Sequence, residues 1–378
     1  MRRVVLIAVF ITVLLVVLVG GHLYLADRLV IGPAIPAPWR ALALLLIGLA
    51  GASLIAQPIV ERTLPTAQAR WINWPASLWM GFAFLLLVLS LFADLALSLS
   101  GSASVTAARF AAGAVTIVAF VAAATGVRTA LREPTLEQRE FRLPRWPAEL
   151  DGFRIVQISD VHIGPILDRR FAARLVERCN ALRPDLIVIT GDLVDGHVAQ
   201  VADEVEPFGS LRATHGVYFV TGNHDHYSGA DAWVKRVEGL GIRALRNQRV
   251  TIAYNGSAFD LAGVEDHHAH LVSGTQREDL DAALAGRDPA RPVILLAHDP
   301  LTFRAASRLG VDLQLSGHTH GGQIWPFRYL VRLSTPFVVG HYERNGAQLY
   351  VSRGTGFWGP AMRLFDPAEI TEIVLRTK

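Results

Sequence analysis

Aspartate, histidine and asparagine recur in short clusters along this sequence, and each cluster follows an apolar run. Asp160-Val-His162 follows FRIVQIS (153–159). Gly191-Asp192, with Asp195 close behind, follows DLIVIT (185–190). Gly222-Asn223-His224-Asp225 follows GVYFVT (216–221). His298-Asp299 follows VILLA (293–297), and Gly317-His318-Thr319-His320-Gly321-Gly322 follows DLQLS (312–316). Imidazoles and carboxylates with an amide oxygen, and no thiolate among them, suit manganese, iron, zinc or a similar divalent ion. The donors outnumber the four that one ion needs. Two ions sharing a carboxylate would use them all, at the ~3.5–4 Å separation of two-metal hydrolases.

Such donors must be held in place, and the runs before them read as buried strands. LDRRFAARLVERCNAL (167–182) has the apolar spacing of an amphipathic helix, a helical stretch is expected around Ala202–Leu211, and QLYVS (348–352) adds a strand. Strands alternating with helices predict an α/β fold, and short continuous apolar strands predict a sheet covered on both faces. Loops at the carboxyl ends of such strands meet along one edge, where open α/β sheets place their sites. Glycines at 191, 222, 317, 321 and 322 permit a positive φ or close approach to a ligand. His-x-His alone has little specificity, since it occurs at His224/His226, His268/His270 and His318/His320. The ordered series is specific, because each member follows a predicted strand.

The series D-x-H, G-D-x-x-D, G-N-H-D, a lone His and G-H-T-H resembles the calcineurin-like metallophosphoesterases over about residues 152–377. SGHTHGGQI (316–324) is similar to a subgroup of membrane-associated bacterial phosphoesterases. The resemblance implies a four-layer α/β/β/α sandwich. It implies one metal on Asp160, His162, Asp192 and His320, and a second on Asp192, Asn223, His298 and His318, with Asp192 bridging. It implies that His224 faces substrate and that Asp225 orients it. Two divalent ions, with manganese foremost and iron, zinc or magnesium as alternatives, would then supply hydroxide from a bridging water. His224 would assist the leaving oxygen as a general acid.

The first half of the chain is of another kind. Apolar segments run over about Val4–Leu25, Ala37–Val60, Ser77–Ser100 and Val105–Val127. Each approaches the ~20 residues that carry a helix across ~30 Å of hydrocarbon. The first is long for a cleaved signal sequence, and no A-x-A site follows it. Arg2, Arg3, Arg62, Arg70, Arg128 and Arg132 fall on the side shared with the N-terminus, so the positive-inside rule places the residues after Val127 in the cytoplasm. Trp39, Trp71, Trp74 and Trp79 lie at the expected interfaces. Asp94 and Arg109, near the ends of a short hairpin, are expected to form an ion pair that lowers the insertion cost of each. The domain reading is therefore four transmembrane helices over 1–128, a juxtamembrane linker over 129–150 with a short edge strand at Glu140–Leu143, and a catalytic domain over 151–378.

Charge argues against a nucleic-acid surface. The net +3 of the 378 residues resides in the apolar half: residues 1–150 hold 12 Lys+Arg against 7 Asp+Glu, and 151–378 hold 24 against 26. The single Cys179 excludes an internal disulfide framework. The reading is a multi-pass membrane-anchored hydrolase of phosphodiesters, phosphomonoesters or pyrophosphates, with lipid-linked esters among the candidates. Its alternative is a membrane receptor or scaffold that binds a phosphorylated ligand without turnover. His226 is expected in the core or at the pocket rim, His267, His268 and His270 in solvent or at the substrate rim, Asp195 as a brace for its own loop, and Arg353 either on phosphate or on the surface. Trp325–Val339 reads as core cover or as an apolar lip.

Overall fold

The computed structural model describes residues 2–272 and 276–378. The side chains of Arg2, Arg3 and Arg62, used above for orientation, lie outside the described set. Contacts divide the chain into two units. The first holds the chain up to Thr63, Gln68–Arg128 and the short segment Gly359–Met362. The second holds Leu64–Ala67, Thr129–Trp358 and Arg363–Lys378.

The first unit is built from α1 (Arg2–Ala26), α2 (Ala37–Thr63), α3 (Thr66–Ser100) and α4 (Val105–Ala130). All four are long and apolar enough to cross a membrane. Side chains such as Leu99, Phe110 and Phe120 remain exposed, as expected of helices whose apolar surface lipid would cover. The expected Asp94–Arg109 pair does not form. Asp94 instead accepts from the Tyr24 hydroxyl (2.7 Å) and pairs with Arg28 (2.9 Å), while Arg109 donates to the carbonyls of Pro33 (2.7 Å) and Ala34 (3.3 Å). The turn after α1 supplies nearer partners for both charges. Ser77 of α3 donates to the Gly359 carbonyl (2.5 Å) and accepts from the Ala361 N–H (2.7 Å). A Cβ on Gly81 would lie 2.5 Å from the Met362 sulfur, so a larger residue there would require the Met362 side chain to move.

The second unit contains, among the described residues, two six-stranded sheets. The first sheet uses β1 (Thr135–Leu143), β2 (Arg154–Ile158), β3 (Leu186–Thr190), β4 (Val217–Val220), β5 (Arg243–Ala244) and β12 (Glu369–Thr377), in the order β1-β12-β2-β3-β4-β5. The second uses β6 (Gln248–Tyr254), β7 (Ser257–Gly263), β8 (Val293–Leu296), β9 (Leu313–Ser316), β10 (Gly340–Arg344) and β11 (Ala347–Val351), in the order β10-β11-β9-β8-β7-β6. Strands β2 to β5 run parallel, as do β7, β8, β9 and β11.

Alternation along the strands builds the layers. Ile155, Leu186, Val188 and Val220 of the first sheet share a buried cluster with Leu261, Ile294, Leu296 and Leu315 of the second, so these faces pack together. The opposite face of the first sheet, with Val156, Ile158, Ile187 and Ile189, packs on Leu175, Val176 and Cys179 of α5 (Arg169–Ala181) and on Trp233 of helix Ala230–Gly239. Asp168 caps α5 by accepting from the N–H groups of Arg170 and Phe171. Ala262, Val293 and Leu295 pack outward on Ala283 and Ala306. The unit is thus an α/β/β/α sandwich in which both sheets are covered, as the apolar strands predict.

Two further expectations change. Residues 129–150 are not a linker. Thr135–Leu143 pairs in parallel with β12 from Thr135↔Glu369 to Leu143↔Thr377, and Phe141, Leu143 and Trp146 are buried. Its partner strand lies at the far end of the chain, beyond the reach of a local pattern. The helix expected around Ala202–Leu211 breaks into 3-10 turns, Ala202–Glu204 and Glu206–Ser210, where Pro207 withholds an N–H. Trp146 stands between the sheets, 5.0 Å from the Phe259 ring, with its indole N–H on the Leu150 carbonyl. Trp146→Ala is expected to cost about 3–5 kcal/mol through the cavity it leaves. Denaturant unfolding of the detergent-solubilised protein, followed by far-UV circular dichroism, checks this, and an unchanged midpoint would contradict the packing described.

Candidate metal centre

The carboxyl ends of β2, β3, β4, β8 and β9 deliver the sequence-predicted donors to one place. Three groups of side chains bring ligand atoms within 4.8 Å of one another: Asp160, His162 and His320; His162, Asp192 and His224; and Asp192, His298 and His318. Asp192 belongs to two of them. Its Oδ2 lies 3.1 Å from His298 Nε2 and 3.8 Å from His162 Nε2, and its Oδ1 accepts the His224 main-chain N–H at 2.7 Å. Asp160 Oδ1 is 3.4 Å from His320 Nε2, and both its oxygens accept from the His318 N–H.

The backbone bends hard to achieve this. Asp160, His162, Asp192, His318 and His320 all have φ between 51° and 73°, the left-handed region that non-glycine residues seldom adopt. Each such residue costs of order 1–2 kcal/mol, and such strain clusters at functional sites. Two glycines admit the close approach. A Cβ on Gly222 would sit 2.2 Å from Asp192 Oδ1, and one on Gly317 2.1 Å from Asp160 Oδ2.

The ring nitrogens test whether cations fit. His298 Nδ1–H donates to the Thr190 carbonyl (2.8 Å), and His162 Nδ1–H donates to Asp195 (3.1 Å). In the neutral rings each Nε2 is then an acceptor. His162 Nε2 faces His320 Nε2 at 3.1 Å, and His298 Nε2 faces both the Asp192 carboxylate and His318 Nδ1 at 3.3 Å. The Arg363 guanidinium donates to His320 Nδ1, so the neutral His320 ring carries its proton on Nε2 and can donate to His162 Nε2. An unprotonated His298 Nε2 facing the Asp192 carboxylate, by contrast, needs a proton or a cation between them. Asn223 Oδ1 is buried and has no hydrogen-bond partner. This donor set suits hard or borderline divalent ions, and ring nitrogens oriented through their far N–H are how metal-ligating histidines are held.

Electrostatics follow the same geometry. Burial works against charge on Asp195, but His162 and His224 hold its carboxyl well below the usual range. Burial opposes protonation of His224 too, yet Asp195 and Asp192 raise it to about 9. Burial, then the nearby Asp192, push Asp225 up to about 7. Burial and the neighbouring His162 and Arg363 keep His320 well below its ordinary value.

Residues 153–322 match the family model for calcineurin-like phosphoesterases. A transmembrane protein with metallophosphoesterase domain from Danio rerio is 34% identical over 381 residues, covering 94% of this chain and 86% of that protein. This chain belongs to the calcineurin-like metallophosphoesterases. The metallophosphoesterase-domain protein of the same description from Bos taurus is 38% identical over 271 residues, 69% of this chain and 61% of that one. An uncharacterized metallophosphoesterase of Helicobacter pylori is 35% identical over 255 residues, 67% of each chain.

The structure revises several roles within this metallophosphoesterase. Asp225 does not orient His224. Its oxygens accept from the main-chain N–H groups of Asp192 (2.9 Å), Leu193 (3.0 Å) and Gly222 (2.8 Å), which fastens the β3 loop to the β4 loop. Asp195, read from sequence as a loop brace, takes the orienting part: it accepts from His224 Nδ1 at 2.7 Å and from His162 Nδ1. Arg353 pairs with Glu369 (2.8 Å). His226 lies in the core against Thr221 and Glu265. His268 stands at the rim, its Nδ1 3.3 Å from Asp299 and its ring 6.4 Å from that of His318.

Sequence reasoning missed Arg363 and Trp358. The Arg363 guanidinium is fully buried, donates to the carbonyls of Arg353, Gly356 and Asp366, and lies 3.2 Å from His320 Nδ1. Trp358 packs edge-on to His224 at 5.3 Å. Neither carries a local motif, although Trp358 directly follows the Gly-Thr-Gly-Phe stretch after the β11 strand. The revised roles separate by experiment. Asp225→Ala strands three buried N–H groups and is expected to cost about 3 kcal/mol or more. Asp195→Asn is expected to leave the melting temperature nearly unchanged while lowering kcat by roughly 10–100-fold. Thermal melts beside steady-state rates decide between them, and the reverse pattern would restore Asp225 as the orienting acid.

Proposed function

We propose that this chain is a multi-pass membrane phosphoester hydrolase whose catalytic unit faces the cytoplasm and works through a dinuclear metal centre. The carrying observation is that one buried carboxylate, Asp192, is shared by two histidine-rich donor groups. Asp160, His162, Asp192 and His320 would hold one ion; Asp192, Asn223, His298 and His318 would hold the other. Divalent ions bound there, manganese first among them, supply acidified water and neutralise charge on the phosphoryl oxygens.

The chain's own residues do the rest. Asp160 and Asp192 balance charge between the donor groups. The Thr190 carbonyl and Asp195 fix the rings of His298 and His162, so that Nε2 of each faces inward. Asp195 also engages His224 Nδ1, which leaves Nε2 as the ring nitrogen able to donate to the leaving oxygen. Such a donor contributes ~10²–10⁴-fold in rate. The cytoplasmic side is supported by the arginines Arg70, Arg128 and Arg132 at the ends shared with the N-terminus.

The direct test is hydrolysis of bis-p-nitrophenyl phosphate and p-nitrophenyl phosphate by purified protein, after chelation and again after Mn²⁺ is restored. Turnover is expected to vanish on chelation and return with Mn²⁺. Asp192→Asn, which removes charge from both ion positions, is expected to lose at least ~100-fold in kcat together with bound metal. Normal turnover by Asp192→Asn, or turnover indifferent to chelation, would overturn the dinuclear reading. Metal retention and phosphate binding without hydrolysis would turn the reading to a receptor.

A further inference from the structure

The loop that carries His320 runs directly into an exposed apolar surface. Residues 323–327 lead into helix Arg328–Ser334, and the whole is pinned to two distant stretches. Trp325 N–H donates to the Leu364 carbonyl, and Leu364 N–H donates to the Gln323 carbonyl. The Gln323 side chain donates to the Trp358 carbonyl (2.9 Å) and accepts from its N–H (3.1 Å). These bonds hold the three segments side by side.

That surface is costly to leave in water. Leu333 is 84% exposed, Phe365 76%, Tyr329 and Leu330 54% each, and Trp358 51%. Apolar patches of more than a few hundred Å² are uncommon on soluble monomers and mark binding surfaces. Phe365 is held outward with a φ of 68°, a strained backbone for an aromatic residue. By contrast Phe337, in the same part of the sequence, is buried against Phe303, so the exposure is selective.

Composition points to lipid. Tryptophan, tyrosine and leucine with flanking arginine are what a bilayer's headgroup boundary selects. Arg332 lies over the Tyr329 ring at 5.8 Å, and Arg328 is neutralised by Asp366 (2.9 Å). The chain carries its own membrane-length helices, so a bilayer is the apolar phase nearest at hand. At its other end the surface reaches the site, since Trp358 contacts His224.

We propose that this lip is a lipid-contacting surface and that the substrate is a phosphoester carried on a long hydrocarbon chain, its tail along the lip and its phosphoryl group toward His224. This rests on the hydrolase reading above. Two measurements on the full chain in phosphatidylcholine nanodiscs test it. In the first, Leu333→Cys is labelled with an environment-sensitive nitrobenzoxadiazole. Cys179 escapes labelling, being fully buried with its thiol pushed up to about 12. Blue-shifted emission that brominated lipid quenches is expected. Emission indifferent to bromine overturns the lip, and a shift that disappears on dilution assigns the surface to a second copy of the chain instead.

The second measurement compares hexadecyl p-nitrophenyl phosphate with methyl p-nitrophenyl phosphate, which share a leaving group and differ in the tail. The hexadecyl ester is expected to be preferred at least 10-fold in kcat/KM. The variant Leu330→Ser/Leu333→Ser/Phe365→Ser is expected to lose that preference while hydrolysing bis-p-nitrophenyl phosphate as before. Metal-dependent turnover of bis-p-nitrophenyl phosphate without a tail preference overturns the substrate assignment and leaves the hydrolase reading intact. Absent turnover of all three esters overturns the hydrolase reading itself, and the substrate assignment with it, whereas metal-independent turnover overturns the dinuclear centre and leaves the tail preference to decide the substrate.

Discussion

The Asp192 carboxylate is the point on which the second unit turns. It is almost wholly buried, and two histidine groups and a main-chain N–H converge on its two oxygens. A lone buried carboxylate is costly to ionise, and this one stays well below the ordinary range only because the imidazoles of His298, His224 and His162 offset its burial. Bringing them there requires left-handed backbone at five residues and a missing side chain at Gly222. Asp225 fastens the two loops that would otherwise relax that strain. The strain is held by a rigid frame rather than by the loops themselves.

That frame is the seam between the sheets. Asp160, Asp192 and Asn223 leave the first sheet, while His298, His318 and His320 leave the second. The seam is bonded as well as packed: the buried Gln157 side chain of β2 donates to the Thr190 hydroxyl of β3 and to the Ser316 carbonyl of β9. His298 of one sheet reaches the Thr190 carbonyl of the other. A shift of either sheet would part the donor groups. The apolar cluster that spans both sheets therefore positions the site as much as it stabilises the fold.

Much of this was legible locally. An apolar run reports a buried strand because burial on both faces leaves no alternation: β2, β3, β4, β8 and β9 fall within the runs that predict them, and β11 begins one residue before its run. Membrane-length helices announce themselves by length and by the absence of a polar face. The hairpins β6–β7 and β10–β11 carry Asn255-Gly256 and Asn345-Gly346 at their turns, each with positive φ at both residues. An Asn-Gly pair between two alternating stretches is itself a local hairpin signal.

Thus the sequence alone determined which residue types stand at strand ends, where the chain can enter a bilayer, and that the donors exceed what one ion needs. Those properties are sums over near neighbours along the chain. Only the tertiary structure decided what each side chain meets. Asp195 rather than Asp225 takes the His224 ring, Arg28 rather than Arg109 takes Asp94, and Arg363 comes from beyond the last motif to lie behind His320. Strand β1 finds β12 more than two hundred residues away. A carboxylate has the same pattern of neighbours in sequence whether it accepts from an imidazole or from a backbone amide. The difference lies in a few ångströms of packing between segments that local propensity cannot place.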